Sequence, residues 1–168
     1  MNGIVSVGLC LAAALTGAAA GMPAADAAET GWVRPSQAPL LDAAGDDSGC
    51  VATALKMYVY QDAKREWRLG NADTLLCDRD YGHEVWRSGL FEILPDGTRV
   101  TVRPMGENIR GGPVTAGELQ KLRTTQPCSF PGTHTFLARY KISVKVDVAS
   151  TNPYSAIVEK VTTVTCPS

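Results

Sequence analysis

The sequence predicts a mainly β fold: an antiparallel β-sandwich tied by two disulfides, with one short helix near residues 116–124. Three observations lead there. Long stretches alternate apolar and polar residues, the two-residue period of strands with one buried face. Gly, Pro and Asp clusters punctuate those stretches at hairpin spacing. Four cysteines remain once an export signal is set aside, and an even count in an exported chain reads as a disulfide framework.

The signal is the segment 1–28. Ile4 to Ala20 carries no charge, is rich in Ala, Leu, Val and Gly, and precedes two small-x-small sites ending at Ala20 and Ala27. Gly8, Thr16, Gly17 and the alanines make the run too weakly apolar for a stable membrane anchor. Cys10 lies inside the run, not after a Leu-x-Gly pattern, which argues against a lipid-anchored cysteine. No Lys or Arg precedes the run, and a start codon upstream of Met1 would account for that. The expectation is a secreted protein cleaved near Ala20 or Ala27. An alanine-rich chain without glycosylation sequons (Asn71-Ala-Asp, Asn108-Ile-Arg and Asn152-Pro all fail) points to a bacterial source.

Cleavage leaves about 140 residues, enough for one domain. All 16 Lys and Arg remain, and the 17 acids lose only Asp26, so the mature chain is close to neutral. Neither the basic footprint of a nucleic-acid binder nor a polybasic membrane-surface stripe is present. Residues 29–49, with Pro35, Pro39 and the Gly45-Asp46-Asp47-Ser48-Gly49 cluster, read as a flexible lead-in to a single domain over 50–168.

Val51 to Tyr60 fits both a strand alternation and a helical i+4 spacing. The Tyr-Val-Tyr ending favours strand, and so does register. If Tyr60 faces Trp67 across a turn, the same pairing sets Cys50 opposite Cys77. Leu90–Leu94 and Thr98–Arg103 flank Pro95-Asp96-Gly97, a hairpin in which Phe91, Ile93, Val100 and Val102 face inward and Arg99, Thr101 and Arg103 outward. Thr115-Ala116-Gly117-Glu118 fits a capping box for a helix bearing Leu119 and Leu122, ended by Pro127. From Thr135 to Val148 the residues Tyr140, Ile142, Val144, Val146 and Val148 share one face; Ser150 to Pro153 turns the chain, and Ala156 to Thr165 returns. Cys128 and Cys166 flank this last hairpin, which favours Cys128–Cys166 beside Cys50–Cys77. A four-cysteine zinc site lacks the paired ligand spacing, so neither metal nor cofactor is expected.

The Pro131-Gly-Thr-His-Thr-Phe136 stretch loosely resembles the start of a late strand in immunoglobulin-like domains. The likeness covers about a tenth of the chain and lacks a tyrosine corner. It implies a sandwich and no activity.

No catalytic set is complete. His83-Glu84 opens like a zinc-protease helix, but Arg87 stands where the second His belongs. The acid–base candidates are His83 or His134 with Glu84 or Glu92 and Arg99 or Arg103, a ribonuclease-like arrangement in which Arg steadies phosphate charge. The binding candidates are Tyr81, His83 and Trp86, within an Arg79–Gly89 loop mixing aromatic and ionic groups. The expected role is a monomeric extracellular or cell-surface binding module with an unknown partner. A small secreted hydrolase or toxin is the rival, and a protease-inhibitor-like module a variant of the first.

Overall fold

The computed structural model describes residues 34–108 and 112–167. The signal segment, both cleavage sites, Cys10 and the start of the lead-in lie outside the described residues. Nine strands occur among those described: β1 (Gln37–Leu41), β2 (Asp47–Ala54), β3 (Tyr58–Gln61), β4 (Trp67–Cys77), β5 (His83–Ile93), β6 (Arg99–Asn108), β7 (Gln120–Pro127), β8 (Gly132–Lys145) and β9 (Tyr154–Cys166). All pairings are antiparallel, in the order β3-β4-β2-β1-β9-β8-β5-β6, with β7 on the other side of β4.

This is one curled sheet, where the sequence suggests two sheets face to face. The curl is visible in the contacts. Tyr140 of β8 meets Asn71 of β4 although three strands separate them in the sheet, and Arg103 of β6 reaches Thr124 of β7 at the opposite margin. The strand responsible for continuity is β1, which pairs with β2 and, at Leu41–Ser155, with β9. It comes from the stretch read as a flexible lead-in. There the Gly/Asp cluster is a hairpin turn: the Asp42 carboxylate accepts hydrogen bonds from the Ala44 and Asp46 amides at 2.8 and 2.9 Å. Without β1 the remaining strands would fall into two groups, β3-β4-β2 with β7, and β9-β8-β5-β6.

The core lies inside the curl. Leu40, Ala52, Leu69, Leu75, Leu90, Phe136, Tyr140, Ile142, Val144 and Val158 all contribute, with both cystines packed among them. The disulfides are Cys50–Cys77 and Cys128–Cys166. Their sequence separations of 27 and 38 residues correspond to about 3.5–4 kcal/mol of loop-closure stabilisation each.

Register explains where the sequence reading succeeds and slips. Cys50 does face Cys77. The expected single arm is broken, however, into β2 and β3, and across the break the register shifts by one, so Tyr60 faces Arg68 and Trp67 faces Gln61. In the β5–β6 hairpin the turn is as expected, with Gly97 at φ 84° and the Asp96 carboxylate accepting from the Thr98 amide at 2.8 Å. The facing is not. Register irregularities around Leu90 put Leu90 in the core and turn Arg103 inward, while Phe91 stays half-buried beneath the Arg139 guanidinium.

No helix is found among the described residues, so the helix over 116–124 is a misreading. Gly117 sits at φ 74°, outside the helical region, and its amide donates to the Cys77 carbonyl at 2.8 Å. The capping-box residues make a turn, and Gln120–Pro127 runs on as β7 beside β4. Leu122 reaches the core through strand parity, not helical spacing.

Candidate functional site in the sheet interior

On β4 the alternate residues Leu69, Asn71, Asp73, Leu75 and Cys77 are all buried, and Leu69, Leu75 and Cys77 belong to the core. Two polar residues therefore interrupt an apolar inward face. Asn71 is answered: its Nδ2 donates to the Tyr140 hydroxyl at 2.7 Å, and its Oδ1 accepts from the Thr124 hydroxyl at 2.6 Å. Thr124 in turn accepts from the Arg103 guanidinium at 3.1 Å, and Arg103 also touches Ser88 at 3.4 Å. One hydrogen-bonded run thus crosses the interior from β6 through β7 and β4 to β8.

Asp73, two residues along, is different. It is 0% exposed and neither carboxylate oxygen has a hydrogen-bond partner. Burial pushes its carboxyl up to about 8; its own backbone amide, too poorly placed for a hydrogen bond, opposes the rise, and the neighbouring Glu84 charge adds to it. The carboxyl therefore carries its proton at neutral pH. Burial also raises Tyr140, with the Asp73 charge adding to it, and burial lowers Arg103. Trp86 on β5 is fully buried as well, and its indole Nε1 has no partner.

The registers locate these groups. Directly opposed residues of an antiparallel pair point to the same face. Ser88 opposes Tyr140, Trp86 opposes Ile142, and Glu84 opposes Val144. Asp73 feels the charge of Glu84, so the step from Asn71 to Asp73 runs toward Trp86 and Glu84. The cations lie the other way: Arg103 opposes Leu90, and Lys160 opposes Ala138. Tyr140 stands between the two ends, acids on one side and cations on the other.

The candidates drawn from sequence are scattered. His134 and Glu92 do meet, Nδ1 to Oε1 at 2.6 Å, with His134 also flanked by the Phe130 and Phe136 rings. The Glu92 hydrogen bond raises the imidazole above its ordinary value. Arg103 is engaged in the interior run instead, and Arg99 opposes Ile93 on the β5–β6 hairpin. His83 opposes Lys145 at the start of β5, with parity opposite to that of Glu84, which is buried inside. Of the expected set, His134 and Glu92 are brought together, while Arg103 and the buried Glu84 are held elsewhere.

The two rings of the aromatic binding loop are internal, although Arg79, Asp80, Gly82 and Arg87 around them are exposed. Tyr81 is buried, its hydroxyl donating to the Ser48 carbonyl at 2.5 Å, and Trp86 is enclosed, so neither ring offers a surface platform. Among the described residues no group of three or more His, Cys, Asp or Glu side chains could hold a metal ion. The sequence does not single out Asn71, Asp73, Ser88 and Thr124 as interior residues, and marks Tyr140 only as part of a buried strand face. The signal was there in part: once Cys77 and Leu75 are set on a strand, Asp73 and Asn71 follow at alternate positions.

No family model, curated protein or solved structure matches the chain.

Proposed function

We propose that this is an exported binding module that takes a small polar ligand into the interior of its curled sheet. One observation carries the reading: Asp73, a buried carboxyl with both oxygens unanswered, faces an interior already lined by Asn71, Tyr140 and Trp86. Buried polar groups in folded proteins almost always find partners, and an orphan calls for one, which a bound small molecule can supply. Binding sites in curled and closed sheets favour such apolar interiors with a few convergent polar groups. Export is supported by the two disulfides, which persist in oxidising compartments, and by the uncharged segment Ile4–Ala20.

The test uses the purified, oxidised protein and the indole N–H resonance of Trp86. A panel of small polar metabolites, fractionated by charge, should contain members that shift this resonance while leaving that of Trp67 in place. A panel that moves only Trp67, or neither, would remove the interior as the binding region.

A second reading has its own observation. The short His134–Glu92 hydrogen bond is the geometry of a general acid with its orienting carboxylate. If that pair is catalytic in a secreted hydrolase, RNA or phosphodiester cleavage should follow a raised imidazole pKa and vanish in His134→Ala. Activity surviving that substitution, or absent from the wild type, would discard it.

A further inference from the structure

The seam at which the curled sheet nearly closes narrows the ligand. Among the described residues β6 pairs only with β5 and β7 only with β4, yet Arg103 of β6 meets Thr124 of β7. Two unpaired strand edges therefore face each other. Arg103 spans the gap through one nitrogen: Nη2 donates to Thr124 at 3.1 Å and to Ser88 at 3.4 Å. Its Nε is buried and donates to nothing. Two residues beyond Thr124, on the same inward face of β7, Gln126 opposes Leu69, and its Nε2 is likewise buried without a partner.

Arg103 also lacks a counter-charge. Burial presses on its guanidinium, only Tyr140 acts against that pressure, and no acid among the described residues pairs with it. The nearest acid in register is Glu92, two residues along β5 from Leu90, the residue opposite Arg103. Its Oε1 is taken by His134 Nδ1 at 2.6 Å. A guanidinium keeps its proton throughout the physiological range, so the seam holds a cation and a neutral amide, each with an unused N–H. Lys160, another cation of this end, stands three strands away on β9.

We infer that the seam between β6 and β7 binds a small monocarboxylate, one oxygen accepting from Arg103 Nε and the other from Gln126 Nε2. This deepens the reading of the interior as the binding region and rests on it: Thr124 ties the seam to Asn71, and Asn71 ties it to Tyr140. A carboxylate brings two acceptor oxygens and one negative charge, which match one guanidinium beside one neutral amide. The planar fork of arginine suits a planar carboxylate. A neutral carbonyl would leave the Arg103 charge unanswered, and a cation would be repelled by it. A phosphate dianion would bring a second charge that the Gln126 amide cannot match.

Four small probes separate the possibilities: propionate, propionamide, propylammonium and inorganic phosphate. The full mature protein, isotope-labelled and oxidised, is titrated with each while the Arg103 Nε–H, the Gln126 side-chain amide and the Trp86 indole resonances are followed. Propionate should move the Arg103 and Gln126 signals saturably, and propionamide and propylammonium should not. Gln126→Met removes a donor that bonds nothing in the empty protein, so it leaves the run through Thr124 and Asn71 intact. It should weaken propionate binding by at least about tenfold, and Arg103→Lys, which keeps the charge but loses the Nε–H, by as much. The wild-type titration needs no variant, so a poorly folding Arg103→Lys does not protect the idea. Phosphate moving both signals where propionate does not would overturn the carboxylate, and propionamide matching propionate would overturn the role of charge. If no anion moves the seam signals while other polar molecules still shift the Trp86 indole, the seam site falls and the interior reading stands. If neither these probes nor the wider panel moves any of the three, both fall together.

Discussion

Two buried acids in this molecule have opposite surroundings. Glu159, on β9, is fully enclosed and fully answered: Arg139, directly opposite on β8, donates to Oε1, and the Arg34 backbone amide donates to Oε2 at 2.7 Å. Its own amide donates to the Pro35 carbonyl at 3.1 Å, so the residue fastens the segment before β1 to the sheet. Arg139 is also seated over the Phe91 ring, 5.5 Å from its centroid. Asp73 is equally enclosed and has none of this. Burial alone thus says little about role. A charge held by fixed partners is structural, whereas one that keeps a proton for want of partners has capacity left over.

The comparison is sharpest in its pH dependence. The folded Asp73 carboxyl holds its proton up to about 8, while the unfolded one releases it near 4. Between those values the native state binds one proton more than the unfolded state, so stability is fullest below about pH 4 and is lost as pH rises toward 8. The whole change is on the order of 5 kcal/mol. Urea unfolding across that range should show the fall, and Asp73→Asn should flatten it. A slope identical in both proteins would mean that Asp73 is not the group responsible, and the contrast with Glu159 would collapse.

Glu159→Gln probes the other side. Removing the charge leaves the Arg139 guanidinium, mostly enclosed, facing a neutral amide, and the cost should be about 3 kcal/mol at pH 7. Denaturation midpoints at constant m-value will measure it. A loss under about 1 kcal/mol would place this pair with ordinary surface ion pairs and weaken the distinction drawn here.

The smallest effect belongs to His134 and Glu92, a pair at the partly exposed end of the sheet. The raised imidazole contributes stability that is present below its ordinary pKa and disappears as pH climbs through the higher folded value. Solvent screening limits this to under about 1 kcal/mol. Glu92→Gln should return the His134 resonance titration toward that of a free imidazole; an unchanged titration would show that the hydrogen bond does not set its proton affinity.

How much of this is legible in the sequence differs by element. The β8–β9 hairpin announces itself because Tyr140, Ile142 and Val144 alternate with polar residues and one face is truly buried. Even there the pattern overruns: Val146 and Val148 continue the alternation but lie beyond the strand at 66% and 71% exposure. The turn at Asp96-Gly97 is local chemistry and reads directly. The helix over 116–124 fails because Thr115 and Glu118 suit a turn as well as a cap, and only pairing with β4 decides between them. Asp73 was hidden for a deeper reason. The edge beside its strand breaks one residue further on, β2 ending at Ala54 opposite Asp73 and β3 beginning at Tyr58 opposite Gly70, so its facing depends on a pairing that no short-range period reports.

The two cystines have a further consequence, for survival among proteases. The exposed tip Ala63–Glu66, with Lys64 and Arg65, lies within the stretch closed by Cys50–Cys77, and the exposed bend 146–149 lies within that closed by Cys128–Cys166. A single cut at either place leaves one covalent molecule whose halves stay registered by their strands. A cut at the exposed tip Pro95–Thr98 falls outside both loops and would divide the chain into two unlinked pieces. The cystines insure those two tips, whereas a cut in the Pro95 turn, or in the exposed turns 43–47 and 115–119, separates the chain into unlinked pieces.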